Sequence, residues 1–170
     1  MGKLDDFKRI LIIGNNGSGK SVLAQKLGTQ LRLPVHHLDT LYWLPNWIKQ
    51  EREIMGQQIR EITENPEWII EGNYRVALEE RMRRSQLIIK LDLPLKVCIQ
   101  NVKKRHASGV FVGMPNHGTI NPYEDLDDLI NLSKIFEEKY AEFKPLFNKH
   151  QNKTLVLKSM KEANELLNLS

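Results

Sequence analysis

A run of eight residues near the start of the chain has the composition and spacing of a phosphate-binding loop. Residues 14–21 read Gly-Asn-Asn-Gly-Ser-Gly-Lys-Ser, which matches the pattern G-x-x-x-x-G-K-[ST] in full. Glycines let the backbone curl until successive N–H groups converge on one anion, at the N-terminus of a helix whose dipole also favours negative charge. In such loops the lysine, here Lys20, reaches the β- and γ-phosphates, and the hydroxyl of Ser21 ligates Mg²⁺. The pattern predicts that the chain binds a nucleoside triphosphate.

The residues on either side of this loop are those that a phosphate-binding loop requires. Residues 9–13, which are apolar and mostly β-branched after Arg9, precede it as a predicted strand, and residues 22–27 follow it with helical character. This context disfavours the alternative of a glycine-rich turn that only caps a helix. The residues expected to hold the nucleotide, taken to be ATP, are Gly14, Asn15, Asn16, Gly17, Ser18, Gly19, Lys20, Ser21 and Val22.

Polar residues that directly follow predicted strands are the next candidates, because ligands of open parallel sheets sit beyond the carboxyl ends of the strands. Asp39 could organise Mg²⁺ through water or accept a proton from a substrate hydroxyl, or it could cap a helix. Glu71 ends the apolar strand 68–71, as a metal-steadying Walker B carboxylate does. The Arg75 guanidinium suits a phosphate or carboxylate, or a surface salt bridge. Ser21, Asp39 and Glu71 form the candidate metal set.

A cationic helix end leads into a segment without regular period. Residues 103–106 read Lys-Lys-Arg-His, and residues 107–121 carry three glycines and a proline. This insert is a candidate lid, and Arg105 and its neighbours could close over the triphosphate as the insert moves. The same cations could instead complement the dipole at the end of a helix.

Aromatic and histidine residues give weaker indications. Trp43 and Trp47 follow the second predicted strand, where they could stack on a flat ring of a second substrate or pack beneath a flexible cover. His36, His37 and His117 lack the paired Cys/His spacing of a metal site. We therefore expect no structural zinc.

The order of elements favours an α/β fold. Apolar strands alternate with amphipathic helices, which is typical of a parallel sheet covered on both faces. Five strands with helical crossovers predict a small three-layer, doubly wound domain. The predicted strands are residues 9–13, 35–38, 68–71, 87–91 and 154–157. The predicted helices are residues 19–31, 50–64, 76–84, 95–106, 123–149 and 159–167, with Pro145 ending or kinking the long one.

Length and composition fit one domain over residues 1–170. No apolar run approaches the roughly 18 residues of a membrane span, and the N-terminus lacks the apolar core of a signal peptide, so we expect a cytoplasmic protein without a membrane partner. The net charge of +4 suits a protein that handles phosphates but falls short of a nucleic-acid footprint.

The chain resembles the adenylate-kinase-like branch of P-loop phosphotransferases, and within it a group of topology modulation proteins that are FlaR-related. The resemblance covers essentially the whole chain and implies a nucleoside-monophosphate-kinase-like fold with strand order 2-3-1-4-5. The segments that carry it are residues 14–21, His-Leu-Asp at 37–39, Trp-Ile-Ile-Glu-Gly-Asn-Tyr at 68–74 and Leu-Asp-Leu-Pro at 91–94.

The resemblance also implies roles for single residues. Adenylate kinases end the corresponding strand with Asp-Gly-Phe-Pro-Arg, which implies a metal-network acid at Glu71 and an acceptor-phosphate arginine at Arg75. Asp39 matches an acidic residue of the acceptor-binding segment, and Arg105 matches the first lid arginine.

Two departures from that family bear on the acceptor. Residues 41–43 read Leu-Tyr-Trp where adenylate kinases carry an arginine, which disfavours AMP as acceptor. The insert 107–121 contains no arginine or lysine, so a second cationic layer must come from elsewhere or be absent.

The leading interpretation is an ATP- and Mg²⁺-dependent phosphotransferase that moves the γ-phosphoryl group of ATP to a small-molecule or nucleotide acceptor. Its expected catalytic residues are Lys20, Asp39, Glu71, Arg75 and Arg105. The alternative is a nucleotide-binding regulator of DNA or another partner with at most weak ATPase activity, although no helix-turn-helix or base-stacking motif supports DNA. A plain ATPase is a third possibility, and either a monomer or a homodimer is compatible with the sequence.

Overall fold

Five parallel strands form the centre of the molecule. The computed structural model describes residues 3–114 and 125–168. The strands are β1 (Arg9–Gly14), β2 (Val35–His37), β3 (Trp68–Glu71), β4 (Leu87–Leu91) and β5 (Thr154–Leu157). They lie in the order β2-β3-β1-β4-β5 and all pair in parallel. The predicted strand order 2-3-1-4-5 is confirmed, and the strand bounds differ from the predicted ones by no more than a residue.

The central strands are buried on both faces, as their continuous apolar sequences require. Ile10, Leu11 and Ile12 of β1 have no exposed surface. In the register of the sheet, Ile12 pairs with Glu71 of β3, and Glu71 in turn pairs with His37 of β2. The carboxyl ends of β1, β2 and β3 therefore meet at one edge of the sheet, which is where a ligand of an open parallel sheet binds.

Helices cover both faces of the sheet and complete three layers, as predicted. One apolar cluster packs the helices over residues 20–31, 95–108 and 160–167 on one face, and a second packs those over residues 52–64 and 78–84 on the other. The helices are α1 (Lys20–Leu31), α2 (Leu38–Tyr42), α3 (Arg52–Glu64), α4 (Leu78–Arg84), α5 (Leu95–Ser108), α6 (Leu126–Lys134), α7 (Phe136–Ala141), α8 (Lys144–Lys149) and α9 (Met160–Leu167). Over residues 3–114 and 125–168, none of these helices has the length and apolar character needed to cross a membrane.

The prediction of one long helix over residues 123–149 is wrong, because the described part of this stretch, residues 125–149, forms α6, α7 and α8. The chain leaves helical geometry at Ile135 and again at Phe143, where ψ is close to zero. Pro145 lies in the first turn of α8, where its missing N–H costs no hydrogen bond. The breaks let aromatic side chains of α7 and α8 pack on the sheet near Gly14 rather than continue along one axis.

A short hairpin that the sequence did not indicate follows α2. Trp43–Leu44 pairs antiparallel with Ile48–Lys49, and Asn46 and Trp47 in the turn have φ of 61° and 59°. Left-handed geometry is unfavourable for a tryptophan, and the burial of its ring, which is 8% exposed, offsets that cost. Trp47 is thus a packing residue, one of the two roles considered for it.

The predicted insert 107–121 is described only in its first half. Helix α5 continues to Ser108, and residues 109–114 follow it without helix or strand. The remaining residues of the insert, with His117, lie outside the described part of the chain.

Candidate active site

The phosphate-binding loop connects β1 to α1 and packs tightly against α5. Gly17 has φ of +74°, and a Cβ atom added there would stand 2.2 Å from the carbonyl oxygen of Cys98 and 2.9 Å from Val102. No other residue type fits this position without moving the loop or α5. On the same side, Asn101 donates from its side-chain amide to the Gly17 carbonyl at 2.9 Å. The curvature of the loop is therefore imposed by its packing.

Helix α1 begins at Lys20, immediately after the left-handed residue Gly19. The N–H of Leu23 donates to the Gly19 carbonyl at 2.9 Å, which closes the first turn. The N–H groups of a first helical turn have no intrahelical acceptor, and here they belong to Lys20, Ser21 and Val22. These amides and the helix dipole form an anion site, and the Cβ-free cradle beside them fits a phosphate group.

Two asparagine side chains brace the loop. Asn15 is buried, donates to the Ser133 carbonyl in α6 at 2.9 Å, and accepts from the Asn16 N–H at 2.7 Å. Asn73 exchanges two hydrogen bonds with Gly14: its amide donates to the Gly14 carbonyl at 2.6 Å, and its oxygen accepts from the Gly14 N–H at 3.3 Å. The loop is thus tied to segments distant in sequence.

Ser21 and Glu71 form the candidate metal pair. The Ser21 hydroxyl donates to Oε1 of Glu71 at 3.0 Å, and the Glu71 side chain is only 2% exposed. The same oxygen lies 2.7 Å from Nδ1 of His37. Across the described residues, no group of three His, Cys, Asp or Glu side chains could hold a metal ion by itself. This donor set suits Mg²⁺, which binds few protein oxygens and takes the rest of its shell from water and substrate phosphates.

The Asp39 carboxylate lies near Glu71 and is held by a tyrosine. The Tyr74 hydroxyl donates to Oδ1 of Asp39 at 2.6 Å. Burial and the neighbouring charge of Glu71 raise the pKa of Asp39 above its usual range, against the opposing effects of Tyr74 and Lys20. Burial also raises the pKa of Tyr74, so that this hydroxyl keeps its proton. A carboxylate whose neutral form is favoured is suited to taking up a proton.

Lys20 is a partly buried cation close to both acids. Burial lowers the pKa of Lys20, and the negative charges of Glu71 and Asp39 raise it in part. Its Nζ donates to the Asn15 carbonyl at 3.2 Å, so the side chain folds back over the loop. A phosphate group in the loop would add the negative charge that favours the protonated ammonium.

These side chains face one cleft of about 610 Å³. Its inner end is the phosphate-binding loop, and its outer part is lined by aromatic and apolar residues of α2, the hairpin, α6 and α7. The volume is that of a typical small-molecule site. The lining residues are Asn16, Lys20, Ser21, Asp39, Tyr42, Trp43, Lys49, Glu71, Gly72, Asn73, Tyr74, Arg105, Val112, Met114, Leu129, Leu132, Phe136, Lys139 and Tyr140.

The two predicted catalytic arginines occupy different places. Arg105 lines the cleft, and its guanidinium stands 5.2 Å from the ring centre of Phe111. Its Nε atom is buried and has no hydrogen-bond partner in the described part of the chain. Arg75 is 56% exposed, forms an ion pair with Glu142 and lies 5.0 Å from the ring centre of Phe143. The structure therefore gathers Lys20, Ser21, Asp39, Glu71 and Arg105, and it does not bring Arg75 to the cleft.

Three further residues belong to this site and were not among the predicted site residues, namely His37, Asn73 and Tyr74. Each touches a predicted site residue or the loop itself, and each lies at the end of β2 or just after β3. Asn73 and Tyr74 follow Glu71 closely and lie in the segment 68–74 that carries the family resemblance. His37 likewise lies in the segment 37–39 that carries the resemblance, and its position at the carboxyl end of a strand is the signal that marks it.

Comparison with known proteins bears on the fold. No family model matches the sequence, and no curated protein matches it. The structure is similar to shikimate kinase from Bacteroides thetaiotaomicron, with a TM-score of 0.60, 16% identity and coverage of 95% of both chains. It is also similar to shikimate kinase from Acinetobacter baumannii in complex with shikimate, with a TM-score of 0.59, 14% identity and coverage of 97% of this chain and 92% of the other.

A third similar structure is deoxyadenosine kinase from M. mycoides, with dCMP and dCDP bound, at a TM-score of 0.52 and 16% identity. The alignment covers 94% of this chain and 95% of that one. Sequence identities this low show a common fold and leave the substrate open. The chain has the α/β fold of P-loop kinases.

Proposed function

We propose that the protein is an ATP- and Mg²⁺-dependent phosphotransferase that moves the γ-phosphoryl group of ATP to a small-molecule or nucleotide acceptor. The observation that carries this proposal is that one cleft contains both a phosphate-binding loop and a second, aromatic part. Lys20 and the Ser21–Glu71 pair lie at the phosphate-binding loop, and Asp39, which accepts a hydrogen bond from Tyr74, lines the same cleft as the aromatic residues. A site built only to bind nucleotide has no need of such a second compartment.

The loop end would bind and orient the triphosphate. The first-turn amides of α1 would hold the β-phosphate, and the Lys20 ammonium would bridge the β- and γ-phosphates. Mg²⁺, when bound on the Ser21 hydroxyl with Glu71 behind it, would supply neutralisation of phosphate charge. Arg105, which lines the same cleft and whose guanidinium lies against the Phe111 ring, would reach the same phosphates.

The acceptor end would supply the proton acceptor. A bond forms between the acceptor oxygen and the γ-phosphorus, the bond from that phosphorus to the β–γ bridging oxygen breaks, and ADP departs. The acceptor hydroxyl proton passes to Asp39, whose other partner, Tyr74, fixes the orientation of the carboxylate. Most of the rate acceleration in such transfers comes from positioning and charge stabilisation.

The aromatic part of the cleft supports an acceptor with a flat or apolar face. The ring centres of Tyr42 and Trp43 are 4.7 Å apart in an edge arrangement, and those of Tyr42 and Tyr74 are 4.9 Å apart. These rings line the cleft together with residues of α6 and α7. The shikimate kinase structure from Acinetobacter baumannii, which has the same fold, holds shikimate, a small hydroxylated ring.

The test is a panel of nucleosides, nucleotides and small hydroxyl compounds assayed for acceptor-dependent ADP production, with transfer of labelled γ-phosphate to the acceptor as a second readout. We expect at least one compound to stimulate ADP production strongly. Lys20→Ala should lower that turnover about a thousandfold. Lys26→Ala, a change of the same charge on the exposed face of the same helix, should leave it unchanged.

Two results of this assay would contradict the proposal. ADP release that is indifferent to every acceptor would indicate a plain ATPase, and full turnover by Lys20→Ala would remove the proposed mechanism. The resemblance to topology modulation proteins remains a prediction that needs its own assay. ATP-sensitive DNA binding with a steep salt dependence, together with no acceptor, would indicate the DNA regulator instead.

A further inference from the structure

One oxygen of Glu71 serves two partners. Its Oε1 accepts the Ser21 hydroxyl at 3.0 Å and lies 2.7 Å from Nδ1 of His37. His37 pairs with Glu71 in the register of β2 and β3, so the two side chains project from the same face of neighbouring strands. The His37 side chain is 12% exposed and that of Glu71 is 2% exposed. The contact is therefore shielded from water.

Backbone packs closely against the His37 ring near Nδ1. Gly113, in the segment after α5, has φ of +81°, and a Cβ atom added there would stand 2.4 Å from Nδ1 and 2.8 Å from Cγ of His37. Any side chain at residue 113 would have to displace the ring. The Nδ1 atom of the imidazole thus lies close to both Gly113 and the Glu71 carboxylate.

We propose that His37 is a positioning residue for the metal site, which acts by fixing the Glu71 carboxylate for Ser21. An ionised carboxylate only accepts hydrogen bonds, so Nδ1 carries the hydrogen and donates it to Glu71. With that bond in place, the carboxylate cannot rotate away from the Ser21 hydroxyl. Outer partners of this kind commonly set the orientation of the groups at a metal site. The inference rests on the proposed function, because it requires a metal ion bound with the nucleotide.

A purely structural role for His37 makes a different prediction. If the imidazole only satisfied a buried acid, its loss would lower stability and would weaken nucleotide binding equally with and without metal. If it positions Glu71 for Ser21, its loss would weaken only the contribution that Mg²⁺ makes to binding. The two roles are separated by measuring ATP affinity in excess Mg²⁺ and again in EDTA.

The first experiment compares three variants by calorimetric titration with ATP. His37→Leu removes the donor, and we expect it to weaken ATP binding about tenfold in Mg²⁺ and to leave binding in EDTA unchanged. His37→Asn places a side-chain N–H close to the position of Nδ1 and should keep most of the Mg²⁺ effect. His36→Leu is the matched control, because His36 pairs with Ile70 rather than with Glu71 and its side chain points to the other face of β2.

The second experiment uses Gly113, whose substitution leaves His37 and Glu71 chemically intact. Gly113→Ala should push the ring off Glu71 and should therefore reproduce the Mg²⁺-specific loss. Gly109→Ala is its control, because Gly109 also has a positive φ of +65° but has nothing within 4 Å of an added Cβ. In a His37→Ala background, Gly113→Ala should cause no additional loss, since the ring that it displaces is absent.

Several outcomes would overturn the inference. They are equal losses in Mg²⁺ and EDTA, an unchanged Mg²⁺ effect in His37→Leu, and a loss in His37→Asn as large as that in His37→Leu. If His37→Leu does not fold, as judged by thermal unfolding, His37→Asn and Gly113→Ala decide the question.

The failure of the proposed function is recognised separately. Wild-type protein that binds ATP in a Mg²⁺-dependent way but phosphorylates no acceptor would refute the transferase and leave the role of His37 intact. An ATP affinity of the wild type that is the same in Mg²⁺ and in EDTA would refute both the proposed function and the role of His37.

Discussion

The two ends of the cleft are built in different ways. At the phosphate-binding end, eight consecutive residues adopt one backbone shape, which is held by packing of Gly17 on Cys98 and by the side chains of Asn15 and Asn73. At the acceptor end, the lining comes from α2, the hairpin and the broken helices α6 and α7, which are separated by up to a hundred residues. Phosphate recognition is therefore encoded locally in the backbone, and acceptor recognition depends on side chains brought together by the fold.

The ends also differ in how their charges are arranged. The loop end holds Lys20 next to Glu71, with the first-turn amides of α1 adding positive potential. The acceptor end holds Asp39, whose pKa is raised by burial and by Glu71. One end is prepared to receive negative charge, and the other is prepared to receive a proton. Changes at the two ends should therefore affect different steps.

Among the changes that distinguish the two ends of the cleft, Asp39→Asn should have the largest effect. This substitution keeps an oxygen for the Tyr74 hydroxyl and removes the proton acceptor, so we expect kcat to fall about a hundredfold or more. The affinity for ATP should stay close to that of the wild type, because the loop end is unchanged. Steady-state kinetics and a separate ATP titration measure the two quantities. A variant with wild-type kcat would show that Asp39 is not the base.

A smaller contrast is expected between the two arginines. Arg105→Ala should lower kcat/KM by at least about tenfold, since its guanidinium lines the cleft and its Nε has no partner within the described residues. Arg75→Ala should change kcat/KM little, because Arg75 pairs with Glu142 outside the cleft. Side-by-side kinetics of the two variants measure this. A larger loss in Arg75→Ala would restore the acceptor-binding role that the family resemblance implies for it.

The smallest effect concerns the pH dependence of stability. Because the pKa of Asp39 is raised in the folded protein, its contribution favours folding at acidic pH and is lost as pH rises through the folded-state pKa. Asp39→Asn does not titrate, so its melting temperature relative to wild type should increase between pH 4 and pH 8, on the order of 2 °C at the upper end. The positive charge of Lys20 lowers the pKa of Asp39, but burial and Glu71 raise it by more, so the net shift is upward. Thermal unfolding over that pH range would contradict the assignment if the difference between the two proteins stayed constant.

The features that could be predicted from the sequence are those with local causes. The strands are continuous apolar runs because both faces of a parallel sheet are buried, and Ile10, Leu11 and Ile12 illustrate this. The phosphate-binding loop follows from glycine spacing and from the strand and helix beside it. Glu71 could be predicted as a site residue because it ends an apolar strand, and ligands of open parallel sheets bind beyond the carboxyl ends of the strands.

The features that could not be predicted depend on contacts between distant segments. The break at Ile135 places α7 against the sheet near Gly14, and no local breaker residue marks it. The position of Arg75 depends on Glu142, which follows that break. The contact between His37 and Glu71 depends on the register of β2 and β3, which sequence periodicity does not specify.

The most direct test of the account is a calorimetric titration of folded wild-type protein with ATP at saturating Mg²⁺, repeated with Gly17→Ala. We predict saturable one-site binding by the wild type that ADP competes for, and a loss of that binding in Gly17→Ala, because its Cβ cannot fit against Cys98 without deforming the loop. Absence of heat and of competition with well-folded wild-type protein would contradict the account, as would unchanged binding by Gly17→Ala.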